Sequence, residues 1–166
     1  MKLQGFAYKF PDNINTDWII SGRYKFAVTN MNELAKHLME DIEPNFYKRL
    51  KPGKSILVAG ENFGMGSSRE QAPLVIKQAG IIAVVAKSFA RIFYRNSFNI
   101  GLPLIETNTD SIKEQDNLEI DLAKGQITNL TRKKILKTAA LSKIMMNLLA
   151  DGGVVAHVKK YGGLKI

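Results

Sequence analysis

Apolar residues fall into two regimes along this chain. Between residues 55 and 105 they form short unbroken runs: SILVA at 55–59, IIAVVA at 81–86 and a third at 102–105. Runs of four to six without polar alternation predict strands covered on both faces, as in a parallel sheet. Between them, 70–79 and 89–98 space their apolar residues for helices. Gly80 is placed to close the first and Ser88 to cap the second. The pattern predicts β-α-β-α-β with right-handed crossovers. Later, 117–121 and 126–130 alternate around Ala123-Lys124-Gly125, the signature of a hairpin with one covered face.

The remaining segments are punctuated by turn residues. A strand is expected at 4–9, then turn chemistry at Pro11-Asp12-Asn13 and an ordered loop through residue 24. Asn32 is expected to cap a helix reaching 37–41, and 46–50 a helical turn ended by Lys51-Pro52-Gly53. A helix at 142–149 is stopped by Asp151-Gly152-Gly153. The tail from 154, with Gly162-Gly163, is expected to end irregularly. With no internal repeat or long linker, residues 1–166 are expected to form one domain.

Composition narrows the chemistry. A chain 45% hydrophobic and 23% charged is expected to be a soluble globule. No apolar run can span a bilayer and the N-terminus lacks a signal pattern, so the expectation is a cytoplasmic protein without membrane attachment. Absence of cysteine excludes disulfides, thiolate catalysis and a cysteine-held zinc or iron–sulfur site in this chain. His37 and His157 are the only histidines and lie far apart, which argues against a self-contained transition-metal site. The net charge of +9 is dispersed, densest at Arg132-Lys133-Lys134, and reads as solvated surface. Basic residues do not alternate with aromatic ones, so no nucleic-acid partner is expected and such binding stays a remote alternative.

The richest segment is GENFGMGSSREQAP at 60–73. Gly60, Gly64 and Gly66 let backbone approach a ligand closely, and Ser67, Ser68 and Arg69 fall where the helix is expected to begin. Amide donors, the dipole and a guanidinium together suit a carboxylate or phosphate. Either serine can donate to such a ligand, or act as a base if its alkoxide is stabilised. The dinucleotide fingerprint lacks its third glycine, the phosphate loop its Gly-Lys-Ser/Thr, and the nucleophile elbow its closing glycine. A plain helix cap is the competing reading. A second segment, SFARIFYRN at 88–96, puts Arg91 and Arg95 one helical turn apart. Packing plus surface charge accounts for most of it, with Arg91 and Asn96 able to buttress the glycine turn.

Four segments carry a resemblance: DNINTD at 12–17, GENFGMGSSREQAP at 60–73, AKSFARIFYRN at 86–96 and NIGLP at 99–103. In order and spacing they resemble the small-subunit family of 3-isopropylmalate dehydratases, in the aconitase superfamily. The resemblance covers most of the chain to about residue 106. It implies an α/β fold, the swivelling β/β/α domain of aconitase type, with a parallel β-α-β core and additional short strands. It implies a hydro-lyase of leucine biosynthesis that interconverts 2- and 3-isopropylmalate by dehydration and rehydration. It implies activity only in a hetero-oligomer with a large subunit, which carries a [4Fe–4S] cluster; no cofactor is expected in this chain. Ser67 matches the serine that removes the proton alpha to a carboxylate. Ser68 and Arg69 match residues that hold a substrate carboxylate.

The resemblance also places substrate choice in the loop SGRYKFAV at 21–28. Relatives acting on substrates with an extra carboxylate carry an arginine after the tyrosine, where this chain has Phe26, Ala27 and Val28. An apolar wall there suits an isopropyl group and leaves an extra carboxylate unpaired. Arg23 and Lys25 are cations that can also reach a substrate. Met65 and Gln71 depart from the family, which commonly has a small residue and a histidine there. A homoaconitase or a dimethylmaleate hydratase small subunit is therefore the alternative.

Overall fold

The computed structural model describes residues 1–24 and 27–164. One seven-stranded sheet runs through it in the order β4-β3-β2-β1-β5-β6-β7. Its first half is parallel: β1 (Lys2–Lys9), β2 (Ser55–Val58), β3 (Ile81–Ala86) and β4 (Leu104–Glu106). Every residue of β2 is buried, and all of β3 except Ile82, which is why their sequences carry no alternation. The second half is antiparallel. The strand β5 (Asn117–Asp121) pairs with β1 and forms the expected hairpin with β6 (Gln126–Asn129), and β7 (Lys134–Lys137) closes the edge.

The helices follow in chain order: α1 (Thr16–Ile19), α2 (Met31–Ala35), α3 (Phe46–Arg49), α4 (Gln71–Gln78), α5 (Arg91–Asn99), α6 (Lys143–Ala150) and α7 (Val154–Tyr161). The helices α4 and α5 make the crossovers β2-α4-β3 and β3-α5-β4 that parallel strands require. On β1, Tyr8 meets the Phe46 ring edge-on at 5.6 Å, and Phe10 just beyond the strand does so at 5.1 Å.

Several expectations needed correction, each for a local reason. Asn30, not Asn32, caps α2, because its side chain accepts from the N–H groups of Asn32 and Glu33; the helix also ends earlier than expected, at Ala35. The segment expected to be a loop contains α1, capped by Asn15, and a single 3-10 turn at Gly22–Tyr24. Ser88 does not cap α5; its hydroxyl accepts from the Asn62 N–H, and the helix begins at Arg91 after an extended Ala90. The tail holds α7, with Gly153 at its start against the Asn99 carbonyl. The strand β7 went unseen because two lysines flank only two apolar residues, and an exposed edge needs no more.

Candidate active site

Three loops leave the carboxyl ends of neighbouring parallel strands and meet at one cleft: residues 10–16 after β1, 59–70 after β2, and 87–90 after β3. Crevices beyond strand ends of this kind are where open parallel sheets hold ligands. The β2 loop lies centrally, and backbone hydrogen bonds stitch it to both neighbours. On the β1 side, Gly64 N–H donates to Ile14 at 2.7 Å, Thr16 N–H to Met65 at 2.9 Å, and the Thr16 hydroxyl to the Ser67 carbonyl at 2.9 Å. On the β3 side, Phe63 N–H donates to the Ser88 carbonyl and Ala90 N–H to the Phe63 carbonyl, each at 3.0 Å. The positions of Ser67 and Arg69 are thus set by strand ends rather than by a free loop.

Gly64 shows why the turn needs glycine. Its φ of +80° is left-handed, and a Cβ there would lie 2.2 Å from Cγ of Phe93. The Phe93 ring also packs edge-on against Phe63 at 5.3 Å, locking the β2 loop to α5. The cleft there has a volume of about 320 Å³; its lining includes Ser67, Ser68 and Arg69 of the β2 loop and Arg91, Ile92 and Asn96 of α5. Both serines are exposed, and their hydroxyls make no hydrogen bond among the described residues, so both can meet a ligand.

The helix geometry differs from the sequence expectation. The N-cap of α4 is Glu70, so Ser67 stands three residues outside the helix, beyond the reach of its dipole. The helix start that borders the cleft belongs to α5, whose Ala90 and first residues line it.

Arg69 is held on several sides. Its Nη2 lies 2.5 Å from Asp17 Oδ1 and its Nη1 donates to the Ile20 carbonyl at 3.2 Å. Gly22 backs the guanidinium so closely that a Cβ would lie 3.2 Å from Nη2. The side chain is only 17% exposed. Asp17 lies in the DNINTD segment and Gly22 in the loop at 21–28, but neither they nor Ile20 were expected to hold Arg69. A carboxylate two residues into an Asx-capped turn was the available signal.

The substrate-loop residues are placed differently. Arg23 pairs with Asp41, stacks over Tyr24 at 5.0 Å, and is not among the residues lining the cleft. Ala27 is exposed and Val28 half-buried against the core. The expectations for Lys25 and Phe26 lie outside the described residues. Met65 is exposed beside the cleft, and Gln71 lines a narrow crevice with Ile20, Leu34 and Arg69. His37 contacts Glu40, and buried His157 contacts Asp151 at 2.7 Å; neither lies at the cleft. Among the described residues no group of three or more histidine, cysteine, aspartate or glutamate side chains is arranged to hold a metal ion. With no cysteine in the chain, these residues do not fit an iron–sulfur cluster. No helix among the described residues is long and apolar enough to cross a membrane.

The geometry can be set beside known proteins. The aconitase C-terminal domain family matches residues 21–110. A protein of Archaeoglobus fulgidus named 3-isopropylmalate dehydratase small subunit 2 is 53% identical over 166 residues, covering 100% of both chains. The 3-isopropylmalate dehydratase small subunit of Wolinella succinogenes is 52% identical, covering 94% of this chain and 93% of its own. A crystal structure of 3-isopropylmalate dehydratase from Methanocaldococcus jannaschii superposes with a TM-score of 0.92 at 49% identity, covering 98% of this chain and 96% of that one. The parallel core with its antiparallel extension is therefore the aconitase-type α/β fold, and the chain belongs to the small-subunit family of 3-isopropylmalate dehydratases.

Proposed function

We propose that this protein is the small subunit of a hydro-lyase that interconverts 2- and 3-isopropylmalate in leucine biosynthesis. The observation that carries the reading is the 53% identity to a dehydratase small subunit along the full length of both chains. The cleft supports it, because two unengaged serine hydroxyls and a fixed guanidinium stand together at strand ends.

In this reading Ser67 takes the proton alpha to a substrate carboxylate. The carbanion so formed is a poor one, so the base must be strong. A serine alkoxide is strong enough and exists at neutral pH only near positive charge. Arg69 lies close by in sequence and shares the cleft, and it holds a carboxylate jointly with the Ser68 hydroxyl. Asp17 and Ile20 fix the guanidinium before substrate arrives, so little ordering is left to binding.

The large subunit supplies the rest of the site. An iron–sulfur cluster there would supply a Lewis acid for departure of the hydroxyl group. Met65, 40% exposed, and Ile92, 46% exposed, give this part of the surface an apolar edge that such a partner can cover. The test is anaerobic reconstitution with the cluster-bearing large subunit from the same genome, assaying unsaturated acid from 3-isopropylmalate, homocitrate and dimethylmalate. Activity confined to the mixture, with isopropylmalate preferred, is expected. Preference for another substrate would move the substrate assignment to the loop at 21–28. A formed complex with intact cluster and no turnover of any of the three would overturn the reading.

A further inference from the structure

The cleft contains two guanidinium groups in very different states. Arg69 is already engaged by Asp17 and the Ile20 carbonyl, so part of its hydrogen-bonding capacity is taken before a ligand binds. Arg91 lines the same cleft, is exposed, and makes no hydrogen bond or ion pair among the described residues. It is also the first residue of α5, a helix with no acidic residue in its first turn. A cation there opposes the helix dipole, and an acidic residue would suit the position better. Local rules broken without compensation tend to mark functional positions.

We infer that Arg91 is a second carboxylate-binding residue, holding the carboxylate of the dicarboxylate substrate that Arg69 does not hold. A dicarboxylate carries two negative charges, and Arg69, already bonded to Asp17, suits one of them. An unengaged guanidinium contributed to the same cleft by α5 can take the other and fix the substrate at two points, orienting the alpha hydrogen toward the base. The inference rests on the dehydratase reading and adds a residue to it. Arg95, one turn further along α5, is equally exposed but does not line the cleft, and serves as the control.

The experiment uses the reconstituted two-subunit enzyme carrying Arg91→Gln, Arg91→Lys or Arg95→Gln. It measures kcat and KM for 3-isopropylmalate, inhibition by succinate and by butyrate, and the dissociation constant between subunits. Loss of one charge-assisted contact is expected to raise KM about 10- to 100-fold in Arg91→Gln. Lysine should restore part of this, because it keeps the charge and loses the fork. The preference for succinate over butyrate should shrink in Arg91→Gln and persist in Arg95→Gln. An unmoved KM with unchanged subunit affinity overturns the inference. So does an unmoved KM with weakened subunit affinity, which makes Arg91 a contact of the large subunit. If the wild-type complex forms but does not turn over isopropylmalate, the dehydratase reading itself fails and takes the inference with it.

Discussion

Gly22→Ala separates the placing of Arg69 from the stability of the fold. The backbone at Gly22 is not left-handed, so alanine adds no strain of that kind, and it narrows the unfolded ensemble. That gain, up to about 1 kcal/mol, is opposed by crowding of Arg69, so stability should stay within about 1 kcal/mol of the wild type, which for a chain of this size is a Tm shift of about 2–4 °C or less. The new Cβ, however, would sit 3.2 Å from Nη2 and 3.4 Å from Nη1 of Arg69. The contact with Nη2 is tight, so the guanidinium must retreat by a few tenths of an ångström, and Asp17 and Ile20 hold it from giving way freely. Misplacing one charge-assisted hydrogen bond should cost roughly half its worth, about 1 kcal/mol, or a five- to tenfold rise in KM. The assay is steady-state kinetics of the reconstituted enzyme beside thermal melting of the isolated subunit. A raised KM with Tm within about 4 °C of the wild type supports the cradle. An unchanged KM would refute it, and a Tm lowered by 8 °C or more would show that Gly22 serves packing instead.

Two further perturbations test other links. Ser67→Ala should lower kcat by about 10³-fold or more while leaving Tm and subunit association unchanged, because only the Ser67 carbonyl takes part in the fold; retained turnover would remove Ser67 as the base. Asp116 is buried, which works against its ionised form, but the Lys113 N–H, the Asn129 amide and Arg132 outweigh burial and hold its pKa below the usual carboxylate value. A carboxyl group depressed by folding stabilises the protein above its unfolded pKa of about 4, and that contribution is lost as pH falls from there through the folded value. Asp116→Asn should cost about 2 kcal/mol at pH 7 and flatten the decline of Tm between pH 5 and 3; an unaltered acid profile would show that the network contributes nothing.

The sequence determined whatever depends on neighbours along the chain. Unbroken apolar runs at 55–59 and 81–86 marked the buried parallel strands, and alternation at 117–121 and 126–129 marked the hairpin, because burial on two faces or one writes a different period. The glycines and the Ser-Ser-Arg triplet announced the cleft, and the four shared segments announced the family. Tertiary structure decided what depends on residues distant in sequence. Ser67 takes its position from Thr16, across 51 residues, rather than from the helix that follows it. Arg69 is oriented by Asp17 and Ile20. Arg91 reads in sequence as a buttress of the glycine turn, and only the β3 loop and α5 bring it into the lining of the cleft with Ser67, since a solvated arginine and one at a cleft look alike in sequence. The physical reason is common to all three: local pattern records whether a position is covered, while the pairing of polar side chains depends on which strand ends the sheet brings together.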